Sequence, residues 1–156
     1  MTASEILVLN LEEIRRRSIN IWQAIPADKL DRKPDADAMS CLEMVRHVLE
    51  GEWLYHQMLK SGGNLDTHDT PFANRDWTTV EEEITFAKVY RNEFIDHVNS
   101  LSADDLTEKK VDRSERGYVR SFGDFILRIG YHESVHAGQM LSYLRTMDAP
   151  RPNIWD

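Results

Sequence analysis

The sequence predicts an all-α fold, a four-helix bundle. Four long segments carry apolar residues at helical period, capping residues mark their starts, and no segment combines strand alternation with paired turn residues. The first segment runs from about Ser4 to Ala24, with Leu7, Leu11, Ile14, Ser18, Ile21 and Ile25 on one stripe. Pro26 and Pro34 bound the connection after it. Ser40 and Glu43 then form a capping box, each side chain satisfying the other's free amide, and a second helix follows to about Lys60. Ser61-Gly62-Gly63-Asn64 ends it. A third helix begins near Thr78-Thr79, with Glu81, Glu82 and Glu83 in its positively polarised first turn, and reaches about Ser100. The fourth begins after Ser121, with Asp124 three residues on, and runs to about Met147 ahead of Pro150 and Pro152. Between the third and fourth, Lys110 to Arg120 reads as an irregular extended turn. Amphipathic helices of this length bury their apolar stripes against one another, which makes a bundle.

The 156 residues suit one domain, taken as 1–156, without repeats or low-complexity tracts. Apolar residues make up 41% and charged residues 29%, the balance of a folded chain. With 19 basic and 27 acidic side chains the net charge is −8, which gives no attraction to nucleic acid or anionic lipid. No apolar run is long enough to span a membrane, and the opening MTASEILVLNLEEIRRR lacks the apolar stretch of a signal peptide. The single cysteine, Cys41, cannot form an internal disulfide. Together these features predict a cytoplasmic protein.

The chemistry is concentrated in histidines. In the fourth helix, His132-Glu133-Ser134-Val135-His136 places two imidazoles four residues apart, on one face, in line with Phe125, Ile129, Met140 and Tyr143. Two histidines on an otherwise apolar face are either hydrogen-bonded core residues or metal ligands. The segment also matches H-E-x-x-H, the zinc-peptidase signature. That reading lacks a third ligand, because no histidine or glutamate follows His136. A di-iron bundle site needs two Glu-x-x-His motifs, and only Glu133 to His136 supplies one. A mononuclear site fits better, with its third ligand upstream. His68 lies in a polar loop, and His97 on a helix rich in exposed charge. His56 shares a stripe with Val45, Leu49 and Glu52 and reads as a packed residue. His47 follows Met44 and precedes Gly51, Leu54 and Met58, beside the polar sector Glu43, Arg46 and Glu50; wheel geometry leaves it equally a ligand or the edge of an exposed face.

Val45-Arg46-His47-Val48-Leu49 with Glu52-Trp53, together with His132-Glu-Ser-Val-His136-Ala-Gly138-Gln139, resembles the DinB/YfiT superfamily of bacterial metal-binding four-helix proteins over nearly the whole chain. The resemblance implies an up-down-down-up helix order, which suits the sixteen-residue segment 61–76. Fully extended, that segment reaches roughly 50 Å, against about 30 Å for a twenty-residue helix. The resemblance further implies His47, His132 and His136 as ligands of one divalent ion, Zn²⁺ or Ni²⁺ in first place and Fe²⁺ or Mn²⁺ after them. It also implies a low-molecular-weight thiol as a candidate cosubstrate, since the family includes thiol transferases and a thiol-dependent isomerase.

Three neutral imidazoles leave such an ion its full charge and an open position, where water or a thiol is acidified. The expected function is therefore a metal-dependent small-molecule transferase or hydrolase; the alternative is a metal-containing stress or binding protein without turnover. Glu133 reads either as an acceptor or base behind the ligands or as an exposed solubilising residue. Arg128, one turn before His132, reads as a receiver for a substrate carboxylate or as half of an interhelical ion pair. Glu52 sits amid apolar positions and requires a buried basic partner, drawn from Arg15, Arg16 or Arg17. Gly51 and Gly138 are expected to leave volume for a substrate. The second helix is apolar over about 260° of its circumference, more than one bundle core requires, which predicts a homodimer.

Overall fold

The computed structural model describes residues 1–65 and 69–155. Four long helices are present: α1 (Ala3–Gln23), α2 (Cys41–Ser61), α3 (Val80–Ser100) and α5 (Phe122–Thr146). Each begins at a hydroxyl cap. Thr2, Ser40, Thr79 and Ser121 all accept a hydrogen bond from the backbone N–H three residues on. Ser40 and Glu43 form the expected capping box, and Thr2 with Glu5 forms another that periodicity did not reveal. α2 stops at Gly62, whose φ of 75° is left-handed.

The segment expected to be irregular is structured. A short helix α4 (Ala103–Glu108) precedes two antiparallel strands, β1 (Lys110–Arg113) and β2 (Tyr118–Ser121), with Val111 opposite Arg120. Four residues per strand give too little alternation to read, and the turn between them is a 3₁₀ segment closed by Gly117 at φ 83°. The hairpin packs on the end of α2. Asp112 donates its N–H to the Gly62 carbonyl at 2.8 Å, and a Cβ on Gly63 would lie 2.0 Å from the Asp112 oxygen. Only glycine permits that approach.

α1 and α2 each pack against both α3 and α5. Partners on α2 and α3 rise together, Arg46 with Glu83, Glu52 with Arg91 and His56 with His97, so the two helices run side by side in the same direction. Arg46, read from the sequence as part of a polar sector, is 6% exposed. Its guanidinium binds Glu83 and donates to the carbonyls of Arg75 and Asp76, pinning that stretch of the connection to α2. Burial works to raise the Glu83 pKa, but the hydrogen bond and charge of Arg46 prevail and hold its carboxyl below the usual range.

The core divides in two. One cluster includes Ile21, Trp22, Met44, Val48, Ala87, Met140 and Leu144; the other includes Leu7, Leu11, Leu59, Phe94, Phe125 and Ile129. Along every long helix the boundary between them falls at a buried charge: Arg15, Glu52, Arg91 and Glu133, all at most 8% exposed. Arg15 bonds both Glu133 oxygens at 2.8 and 3.0 Å and reaches Glu52 at 3.1 Å, while Arg91 pairs with Glu52 and donates to the Leu11 carbonyl at 2.9 Å. Glu52 thus has the Arg15 partner that its burial demanded, and Arg91 besides.

The apolar surplus of α2 finds cover inside the chain. Within the chain α2 is covered by α3, α5 and β1, and its apolar residues share a cluster with Phe72 of the connection. The large apolar side chains left exposed include Ile6 and Leu9 on α1 and Leu127, Tyr131 and Val135 on α5, with none on α2.

Arg15→Met would leave two buried carboxylates short of a cation, and should cost about 3–5 kcal/mol in urea unfolding, whereas Arg16→Met, at an exposed pair with Glu13, should cost less than about 1 kcal/mol.

Candidate metal centre

Where α2 and α5 face one another, His47, His132 and His136 present ring nitrogens that all lie within 4.8 Å of one another. The spacing of four on α5 stacks His132 and His136 on one face, and His47 comes across from α2. His132 Nε2 is 3.2 Å from His47 Nε2 and 3.2 Å from His136 Nε2. A metal–nitrogen bond of about 2.1 Å separates two ligating nitrogens by about 3.0 Å at a right angle and about 3.4 Å at the tetrahedral angle. Both separations from His132 Nε2 fall between these values. One imidazole nitrogen offers a single N–H or a single lone pair, so His132 Nε2 cannot make a full hydrogen bond to both neighbours at once. A cation among the three nitrogens would satisfy all of them, and the group could hold a metal ion.

The electrostatics favour neutral rings at His132 and His47. Burial, with repulsion from His136 and His47, pushes the His132 pKa down to about 4, and burial together with His136 also lowers His47. Unprotonated nitrogens are what a metal requires. His136 Nδ1 is buried with no hydrogen-bond partner among the described residues, so Nε2 is that ring's engaged nitrogen. His47 is exposed while His132 and His136 are half-buried, so the group opens to solvent on the α2 side.

Gly51 acts differently from the expectation that it makes room for a substrate. A Cβ there would sit 3.2 Å from His132 Cε1, so the missing side chain is the space that the His132 ring occupies. Gly138 opens onto another face. It borders a cavity of about 330 Å³ with Ile14, Ala137, Leu141 and Ile154, to which none of the three histidines contributes. Glu133 is neither solvent-exposed nor positioned as a base. At 3% exposure it is anchored through both oxygens to Arg15 of α1, and the Arg15 charge outweighs burial to keep its pKa below the usual range. This removes the glutamate that the zinc-peptidase reading needs. Cys41 is fully buried, which pushes its thiol up to about 11, so any reactive thiol must come from outside the chain.

The remaining histidines lie elsewhere. His56 is buried as expected, its Nε2 3.1 Å from His97 Nδ1, between α2 and α3. His68 lies outside the described residues. Among the described residues Arg128 forms no interhelical ion pair; its guanidinium lies 5.2 Å from the centre of the Tyr118 ring. Tyr55, which sequence reasoning did not single out, sets its ring against both His132 and Phe125, with centroids 5.5 and 5.6 Å away. Its spacing of eight from His47, through Gly51, was the available signal.

The sequence model of the DinB superfamily matches residues 10–140. The chain belongs to the DinB superfamily. It is 24% identical over 148 residues to Uncharacterized protein YjoA of Bacillus subtilis (strain 168), covering 94% of this chain and 92% of that protein. The crystal structure of that DinB-like protein superposes with a TM-score of 0.71 at 23% identity, over 95% of this chain and 96% of the other, which shows a shared fold. Within this superfamily fold the three histidines occupy the facing surfaces of α2 and α5.

Acid should weaken the metal-free protein. Burial pushes the His56 pKa down to about 4, against about 6.5 in the unfolded chain, so below pH 6.5 the unfolded state takes up a proton that the native state refuses. Stability from this residue is complete above pH 6.5 and falls as pH approaches 4, by at most about 1.4 kcal/mol per pH unit. The urea midpoint of chelator-treated protein should drop between pH 7 and pH 5, and His56→Gln should reduce that drop.

Proposed function

We propose that this protein binds one divalent cation through His47, His132 and His136 and acts with it on a small molecule, as a metal-dependent transferase or hydrolase. The observation that carries this reading is the gathering of three imidazole nitrogens within 4.8 Å of one another, with His132 Nε2 at 3.2 Å from each of the other two, beside an opening to solvent. Imidazole suits Zn²⁺ and Ni²⁺ ahead of Fe²⁺ and Mn²⁺. Structural zinc sites close with four protein ligands, and this group has three among the described residues. An ion there would supply an open position at which bound water or an external thiol is acidified. The chain's own contribution is to fix the ring orientations: Gly51 lets His132 lie against α2, Tyr55 backs the same ring, and Glu133 ties the adjoining turn of α5 to α1.

The surroundings support a small-molecule partner. A net charge of −8 disfavours nucleic acid, and no helix among the described residues is long and apolar enough to cross a membrane. The lone buried Cys41 accords with a reducing compartment, and we place the protein in the cytoplasm on that ground. A homodimer would be built on the exposed α1 and α5 side chains rather than on α2.

Reconstituted protein should contain about one metal per chain. His47→Ala, His132→Ala and His136→Ala should each lower affinity at least about tenfold, and His97→Ala should not, since loss of one of three ligands leaves an incomplete shell. Two irons per chain, or no uptake of metal, would overturn the assignment.

Gly51→Val should weaken metal binding with all three histidines in place, because the added methyls meet the His132 ring. Isothermal titration of the variant with Zn²⁺ measures this. Turnover of an electrophile panel, with thiols or water, that disappears in His132→Ala would support catalysis. A metallated protein whose site admits neither azide nor a simple thiol would favour the reading without turnover.

A further inference from the structure

We propose that Arg128, backed by the ring of Tyr118, anchors the anionic end of a carboxylate-bearing small molecule whose reacting end lies at His47, His132 and His136. This inference rests on the metal reading above and adds the class of substrate. Arg128 stands one turn before His132 on α5, so its side chain leaves the same face of the helix as the ligand.

What sets Arg128 apart is its lack of a carboxylate. Its neighbours one turn away on α5 are Asp124, Phe125, Tyr131 and His132, and the one acid among them is taken by Arg120 at 2.8 Å. Arg113, on β1 of the same hairpin, is likewise paired, with Glu115 at 2.6 Å. In a chain with 27 acids for 19 bases, the arginine beside the histidine group has no ion-pair partner among the described residues. Its guanidinium rests instead over Tyr118, 5.2 Å from the ring centre, which is within cation–π range and leaves its edge donors available. β2 carries that ring, so the hairpin helps hold the cation in place.

The chemistry is complementary. A carboxylate held by Arg128 gains a charge-assisted contact of its own, separate from the attachment at the histidines. One helical turn, about 5.4 Å, separates the two attachment points along α5, a span that a few carbon atoms cover. The Tyr55 ring, in contact with His132 and Phe125, adds an apolar surface beside His132.

The test uses the cobalt-loaded protein and two thiols, 3-mercaptopropionate and 2-mercaptoethanol, titrated by visible absorption. Arg128→Gln should weaken 3-mercaptopropionate relative to 2-mercaptoethanol by about tenfold, the worth of one charge-assisted contact, and Arg128→Lys should restore part of that ratio. Taking the ratio cancels the general effect of the charge on thiolate binding. An unchanged ratio in Arg128→Gln overturns the inference and leaves the metal assignment standing. Failure to take up cobalt overturns the metal assignment instead. In that case malonate titration of the metal-free protein, followed at the Arg128 Nε–H resonance, decides the anion site: movement of that resonance supports it, and none overturns it.

Discussion

One layer of buried charge organises this molecule. Arg15, Glu52, Arg91 and Glu133 come one from each long helix and meet between the two apolar clusters. Apolar stripes allow neighbouring helices to slide by a turn at modest cost, since one aliphatic side chain replaces another. A buried carboxylate allows no such slide, because it must keep its arginine. The layer therefore sets the level at which the helices align, and in this chain that level adjoins the histidine group. Glu133 neighbours His132, so the bond to Arg15 that holds α5 in register also fixes the height at which the α5 histidines face His47.

Much of the fold could be read in the sequence because its signals are local. Ser40, Thr79 and Ser121 mark helix starts through bonds to residues three positions on, and the spacing of His132 and His136 puts both on one face whatever surrounds them. The features that escaped depend on partners distant in sequence. Glu133 resembles a solvent-facing glutamate until α1 brings up Arg15. Arg46 falls in a polar sector of α2 until the chain around Arg75 and Asp76 folds over it. The excess apolar surface of α2 is real, but its covering includes a hairpin whose strands are too short to show a pattern. Burial of a charge is a pairwise property, and helical periodicity describes one helix at a time.

The candidate centre follows the same division. The α5 histidines were legible from spacing, whereas His47 gained weight from a family resemblance that the superfamily match supports. Gly51 was correctly noticed for the wrong reason. Its absent side chain brings a ring against a backbone rather than opening a void, which is how glycine often serves between packed helices.

The charged layer also defines a seam. Arg15, Glu52, Arg91 and Glu133 divide the apolar interior, with α4 and the hairpin gathered at the Phe125 end and the chain near Ile154 at the Trp22 end. An opening that spreads through one half and halts at the layer would wet ionised groups, which water accepts, instead of uncovering more aliphatic surface. The two halves are thereby equipped to behave as separate cooperative units in amide hydrogen exchange, each with its own protection. The histidines stand near the border, where either half can breathe without dissolving the other.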